Sequence, residues 1–268
     1  MTGKLMKYEL RSMLRTFLPL WGVLLVVAFL NRFTLQAGNF ARALHGVPAT
    51  LLMVIYVIGI MAIAVVAFVF MIQRFYNGLL KDEGYLMFTL PVKTSQLIWA
   101  KCLSAAILVF ATSLVCVLSV FLMVLNSDVI RELSREFTEI ARNLPEYREI
   151  TSLGAQCVLL GLVSSFVSAI AFIMQAYLAM ALGQLANKHR AAWSVLAFVG
   201  ISVVLSTLGI TSLANNFFGA LSSPALESMT YSRLLWAVFG SVIVTQLVET
   251  AIFYFPAEWI LRKRLNLE

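Results

Sequence analysis

Gly78-Leu79-Leu80-Lys81-Asp82-Glu83-Gly84-Tyr85-Leu86-Met87-Phe88-Thr89-Leu90-Pro91 is a short mixed-charge island between two long apolar runs. No Asp, Glu, Lys or Arg occurs from Ala43 to Gln73 before it, and none from Cys102 to Ser127 after it. A polar segment this short cannot bury a core of its own. It therefore sits at a membrane surface, held between two spans, and faces whatever lies there.

The rest of the chain is built around the same alternation. It has 268 residues, 61% hydrophobic and only 12% charged, against roughly a quarter charged in soluble domains. Apolar runs of about 18 residues or more with few charges read as membrane helices. Six such spans are predicted, at about 17–35, 50–73, 97–125, 153–186, 191–214 and 234–260. The fourth and fifth are separated only by Asn187-Lys188-His189-Arg190. The fold class is therefore an all-α membrane protein with six transmembrane helices in a single domain over residues 1–268.

The formal net charge of +7 points to the membrane rather than to nucleic acid, because the basic residues flank spans. With the N-terminus inside, thirteen of the twenty Lys and Arg residues fall on inner segments and seven on outer ones. Four of those seven lie in one loop beside Asp128, Glu132, Glu136, Glu139, Glu146 and Glu149. The positive-inside rule then puts both termini in the cytoplasm. Basic residues precede the first span, but Asn31-Arg32-Phe33 after it offers no small-residue cleavage site, so it reads as a retained anchor.

Two amphipathic stretches accompany the spans. In residues 3–16, Lys4, Lys7, Arg11 and Arg15 recur every three to four positions beside Leu5, Met6, Met13 and Leu14. A basic amphipathic helix of this kind lies in the inner interface. In the outer loop 126–152, Ile130, Leu133, Phe137, Ile140 and Leu144 keep helical spacing, and charges cover the other face. A helix of about four turns is expected there, capped by Ser127 or Asp128 and stopped by Pro145. It fits both a solvated connector and a roof over a pathway. Residues 215–232, with Asn215, Asn216, Gly219 and Pro224, read as a turn-rich connection.

Several chemistries have no residues to run on. No G-x-x-x-x-G-K-[ST] run is present to cradle nucleotide phosphates. The two histidines, His45 and His189, and the two aspartates, Asp82 and Asp128, fall on opposite sides of the membrane in this topology. That excludes an H-E-x-x-H zinc site and a paired-aspartate protease. Cys102, Cys116 and Cys157 have no metal or disulfide spacing and read as packing residues. The chain is expected not to be an enzyme, with no catalytic residue, no metal and no cofactor of its own.

In the inner loop, Arg74 and Lys101 mark the membrane edges. Pro91 ends any helix that begins near Lys81, and Ser95 or Thr94 caps the third span. Tyr85, Leu86 and Phe88 would stand out as apolar knobs, with Lys81, Asp82 and Glu83 at the helix start. Two readings fit this pattern: insertion into a partner's groove, and aromatic anchoring in lipid headgroups.

The order Gln73-Arg74-Phe75-Tyr76, then Asp82-Glu83-Gly84-Tyr85-Leu86-Met87-Phe88-Thr89-Leu90-Pro91-Val92, then Gln96-Leu97 and Ala100-Lys101 resembles the loop between spans two and three of ABC-2-type transporter permeases. Met6-Lys7-Tyr8-Glu9-Leu10-Arg11 is similar to that family's opening. The resemblance implies an elbow helix at 3–16, its Lys4, Lys7, Arg11 and Arg15 at the membrane surface. It also implies a cytoplasmic coupling helix in the loop 78–93, docking a separate ATPase subunit through Lys81, Asp82, Glu83, Gly84, Tyr85, Leu86, Phe88 and Pro91. ATP and magnesium would then belong to that partner. A second permease copy, identical or paralogous, would complete an exporter in a bacterial plasma membrane, with antimicrobial resistance as one role among several. Drugs, antimicrobial peptides, lipids and polysaccharide precursors all remain open as substrates.

Within the spans, Glu249 lies about 15 residues from both Arg233 and Arg264, near mid-bilayer. An ionisable group at that depth is costly and marks a functional site by default. Gln246 is one turn earlier on the same face. Glu249, Gln246 and Gln175 could line a pathway. Equally, Glu249 could be glue between spans, hydrogen-bonded to Gln175 or Gln184. A stand-alone transporter driven by protons through Glu249 is the alternative function. Pro256 is placed to kink the helix below Glu249. Glu258, nearer Arg262, reads as an inner-edge residue paired with the terminal basic cluster. In span four, Ser165, Ala169, Ala176, Ala179 and Gly183 are small residues at a spacing that lets helices approach closely.

Overall fold

Lipid offers no hydrogen-bond partner to a bare backbone, so an apolar run must satisfy its own N–H and C=O groups, and a helix does this locally. The computed structural model describes residues 2–36, 47–80, 94–124, 127–142, 144–186, 189–222 and 231–263. Seven long helices carry them: α1 Thr2–Gln36, α2 Val47–Phe75, α3 Thr94–Val124, α4 Ser127–Arg142, α5 Leu144–Gly183, α6 Arg190–Ser222 and α7 Tyr231–Lys263. A π-helical turn, Tyr76–Leu80, continues α2. No strand occurs among the described residues. All of these helices but α4 are long and apolar enough to cross a membrane, the six spans being Met6–Arg32, Thr50–Gly78, Ser95–Val124, Thr151–Gly183, Arg190–Thr207 and Leu235–Arg262.

Three boundaries differ from the sequence reading. Residues 3–16 are helical, but they run into the first span without a break, giving one helix of 35 residues. No glycine or proline separates the basic stretch from the apolar one. Pro19, expected near a helix start, lies inside α1; membrane helices tolerate this because local adjustment and neighbouring groups take up the freed carbonyl. Pro145 falls in the first turn of α5, where its missing N–H would be unpaired in any case. Helix α6 continues through Asn215, Asn216 and Gly219 to Ser222, where the sequence suggests a turn-rich connection.

The chain forms two compact units. One comprises residues 4–71 and 107–149. Its core is a seam of α1 residues facing α2 and the C-terminal part of α3. Met13 and Phe17 pack with Ala67 and Leu108. Further along α1, Leu24 and Ala28 pack with Tyr56 and Ile63. Phe17 meets Phe70 edge-on, with ring centroids 5.5 Å apart. Two polar ties fix the register. Buried Asn31 donates from Nδ2 to the Val27 carbonyl and to the Leu52 carbonyl, each at 3.1 Å. The Tyr56 and Ser119 hydroxyls lie 2.8 Å apart. With lipid as apolar as the side chains, such hydrogen bonds and close packing, rather than hydrophobicity, hold spans together.

The other unit comprises residues 1–3, 72–106 and 150–268. Its centre is the C-terminal part of α5, where Ala171 and Ile173 to Ala181 are all buried. Four alanines in that stretch, Ala171, Ala176, Ala179 and Ala181, let neighbouring backbones come close. Tyr177 stacks on Phe75 with centroids 3.7 Å apart and planes 19° apart. Gln175 donates to Ser202 of α6 at 2.7 Å, and Phe172 meets Phe198 edge-on at 5.9 Å. Helix α6 touches this unit through a single stripe, Ser194, Ala197, Phe198, Ile201, Ser202 and Leu205, which are half-buried; the positions between them are mostly exposed. At the α5–α6 turn, a Cβ on Gly183 would meet the backbone N of Ser194 at 2.7 Å and the carbonyl of Arg190 at 2.8 Å. The helices can close there only because residue 183 has no side chain.

Candidate coupling and pathway site

The polar island between the second and third spans is bracketed by two structured ends. On one side, α2 gives way to the π-turn Tyr76–Leu80. Such insertions are rare and recur at functional positions. On the other, α3 begins at Thr94. Residues Lys81, Asp82, Glu83, Gly84, Tyr85, Leu86, Phe88 and Pro91 lie between these ends, outside the described residues.

Lys101 joins the two ends. It sits two turns into α3, yet it is only 5% exposed. A lysine read as marking a membrane edge is thus enclosed by protein. Its side chain lies over Gly78: a Cβ there would collide with Nζ and would stand 3.1 Å from Cε. Residue 78 is in the last turn of its helix, where a basic side chain is favoured by the helix dipole. Gly78 is therefore the residue type that lets the lysine fold flat against the turn.

The first turn of α3 is tied to α7. The Ser95 and Tyr254 hydroxyls are 2.5 Å apart. The Trp99 ring lies 5.5 Å from that of Tyr254, tilted by 38°. Glu258 is four residues from Tyr254, on the same face of α7. Glu258, which the sequence places at the inner edge with the terminal basic cluster, also faces Tyr254. Neither Tyr254 nor this role for Ser95 was legible in the sequence. The available signal was a Tyr and a Glu four apart on one face, flanking Pro256.

The predicted pathway residues occupy different surroundings. Gln175 is buried, and its amide is committed to Ser202. Gln246 and Glu249 are half-buried on α7. Below them Thr250, Phe253, Ala257, Ile260 and Leu261 are buried, whereas Leu235, Phe239 and Val242 above them are only half-buried. The packed face of α7 thus loosens outward at the level of Glu249. On α1, Lys7, Arg11 and Arg15 are exposed; the side chain of Lys4 lies outside those described. Among the described residues, no group of three or more His, Cys, Asp or Glu could hold a metal ion.

Residues 15–139, running from α1 into α4 and including the loop and both its flanks, match the family model of the ABC-2 family transporter proteins. Over this segment the chain is similar to ABC-2 family transporter proteins. No curated protein and no solved structure matches the chain. The ABC-2 match covers a little under half of the residues, and it takes in Gly78, Ser95, Trp99 and Lys101 but not α7. Together with the six apolar helices it makes the chain a multi-pass membrane protein, similar over 15–139 to ABC-2 family transporter proteins.

Proposed function

We propose that the chain is the membrane subunit of an ATP-driven exporter, coupled through residues 81–93 to a separate ATPase subunit. The observation that carries this reading is the ABC-2 match, which spans that segment. The charge distribution supports the orientation, with both termini and the 81–93 segment on the cytoplasmic side of a bacterial plasma membrane. In this reading the partner holds ATP and magnesium, and a second permease copy completes the pathway. Binding and hydrolysis of ATP displace the coupling segment, and rigid-body movement of the helices it joins exposes the pathway alternately to the two sides. Tyr85 and Phe88 act as the anchors in the partner's groove.

The test is purification of the detergent-solubilised chain from its native host and identification of what accompanies it. A stoichiometric soluble ATPase is expected, and Tyr85→Ala with Phe88→Ala should release it while leaving the permease folded. A chain that purifies without an ATPase would overturn the reading. An ATPase that stays bound to the double variant would overturn the assignment of these two side chains.

A further inference from the structure

We propose that Tyr254 is a positioning residue that transmits movement of the start of α3 to α7, across a hinge at Pro256. The proposal rests on the coupling reading above, because that reading supplies the force on α3.

Three observations meet at this point. First, Ser95 and Trp99 belong to the first two turns of α3, directly after the 81–93 segment, and both reach Tyr254, Ser95 through a bond between the two hydroxyls and Trp99 through its ring. Two contacts of different kinds on one side chain hold it in one geometry and resist shear. Second, Pro256 lies inside α7. It carries no N–H, so the carbonyl of Ile252 loses its helical partner, and its ring crowds that carbonyl. The helix is weakest over the turn from Ile252 to Pro256, which contains Tyr254. Third, the packed face of α7 runs through the proline, from Thr250 and Phe253 on one side to Ala257, Ile260 and Leu261 on the other, and loosens only at Gln246 and Glu249. Tyr254 lies on the same side of Pro256 as Glu249, about 7 Å from it along the axis at the usual helical rise, so a pull on Tyr254 reaches the stretch where that packing ends.

Lys101 makes the pull effective. Its closure over Gly78 ties α3 to the π-turn, so the start of α3 cannot move without the end of α2.

The experiment uses the permease–ATPase complex in lipid nanodiscs and measures hydrogen exchange of the 249–260 peptide, with no nucleotide and with ATP trapped by vanadate. The wild type is expected to exchange differently in the two states. Tyr254→Phe keeps the ring and removes the hydroxyl bond to Ser95; it should shrink that difference at least about fivefold, the order expected for one lost hydrogen bond. Ser95→Ala should do the same from the other side, and Ser95→Thr, which keeps a hydroxyl, should restore it. A merely structural role would raise exchange in both states and leave the difference intact. That result, or a wild-type complex whose α7 exchange ignores nucleotide, would overturn the proposal while leaving the ATPase assignment standing. Absence of any bound ATPase would remove the coupling reading itself, and this proposal with it.

Discussion

Lys101 and Gly78 are packed so closely that a single methyl group at position 78 would overlap the lysine side chain. The contact joins the first turns of one span to the last residues of another, and residues 81–93 connect the two in the chain. Gly78→Ala should therefore cost about 1 kcal/mol, the low end of the usual range for overpacking. The clash is with the end of a flexible side chain, so the cost depends on Lys101 remaining there. In a Lys101→Ala background the same glycine substitution should be nearly neutral. Thermal unfolding of the four variants in detergent closes the cycle, and additive effects would show that the two residues do not interact.

Gly183 gives the contrasting case. A Cβ there meets backbone atoms of Ser194 and Arg190, which cannot swing aside as a lysine can. Gly183→Ala should destabilise by about 3 kcal/mol or more, at the upper end of the overpacking range. Ser194→Ala should not rescue it, because the obstructing backbone N and carbonyl remain. A Tm for Gly183→Ala equal to that of Gly78→Ala would show that the α5–α6 turn is less rigid than its geometry implies.

The hydrogen bond from Gln175 to Ser202 has two unequal ends. Ser202 also bonds to the carbonyl of Phe198 at 2.8 Å, so it keeps a partner when Gln175 is lost. Gln175 is 7% exposed, and loss of Ser202 leaves its amide in an apolar packing with that contact gone. Ser202→Ala should cost about 1–2 kcal/mol, more than Gln175→Leu, which should lie within about 0.6 kcal/mol of the wild type. Equal losses would mean that the amide has found another partner.

These cases show where the sequence was readable. Length and apolarity sufficed for the six spans, because a span needs only about 20 apolar residues and says so in composition. The charged face of Ser127–Arg142 likewise announced an amphipathic helix, and the 16-residue helix is there. Small residues on α5, including Ala176, Ala179 and Gly183, marked its packed face. The ends were less legible. A helix boundary depends on what lies beside it, so the sequence could not say that α1 would run unbroken from Thr2 to Gln36. Nor could it show that Lys101 would be covered. Its position at the head of an apolar run looks the same whether lipid headgroups or Gly78 lie next to it. Pairings between distant segments, such as Ser95 with Tyr254 or Asn31 with Leu52, have no periodicity at all. They are visible only once the helices are packed.

Glu249 separates the two ways of driving transport. It is half-buried where the packed face of α7 begins to open, and a carboxyl group in an apolar span is expensive unless it serves a purpose or finds a partner. If ATP in a partner drives the movement, Glu249→Gln preserves the shape and hydrogen-bonding capacity of the group, and the complex should keep its nucleotide-dependent change in α7. Any effect would then fall on which molecules are carried. If protons drive the movement, the same substitution removes the titrating group. Transport in vesicles would then be lost and would not need the ATPase. The decisive measurement is ATP hydrolysis by the wild-type and Glu249→Gln complexes, with an imposed pH gradient and without one. Hydrolysis that persists in the variant and is indifferent to the gradient is expected from the ATP-driven permease. A chain that needs no ATPase and responds to the gradient only when Glu249 is present would place the engine in α7 itself.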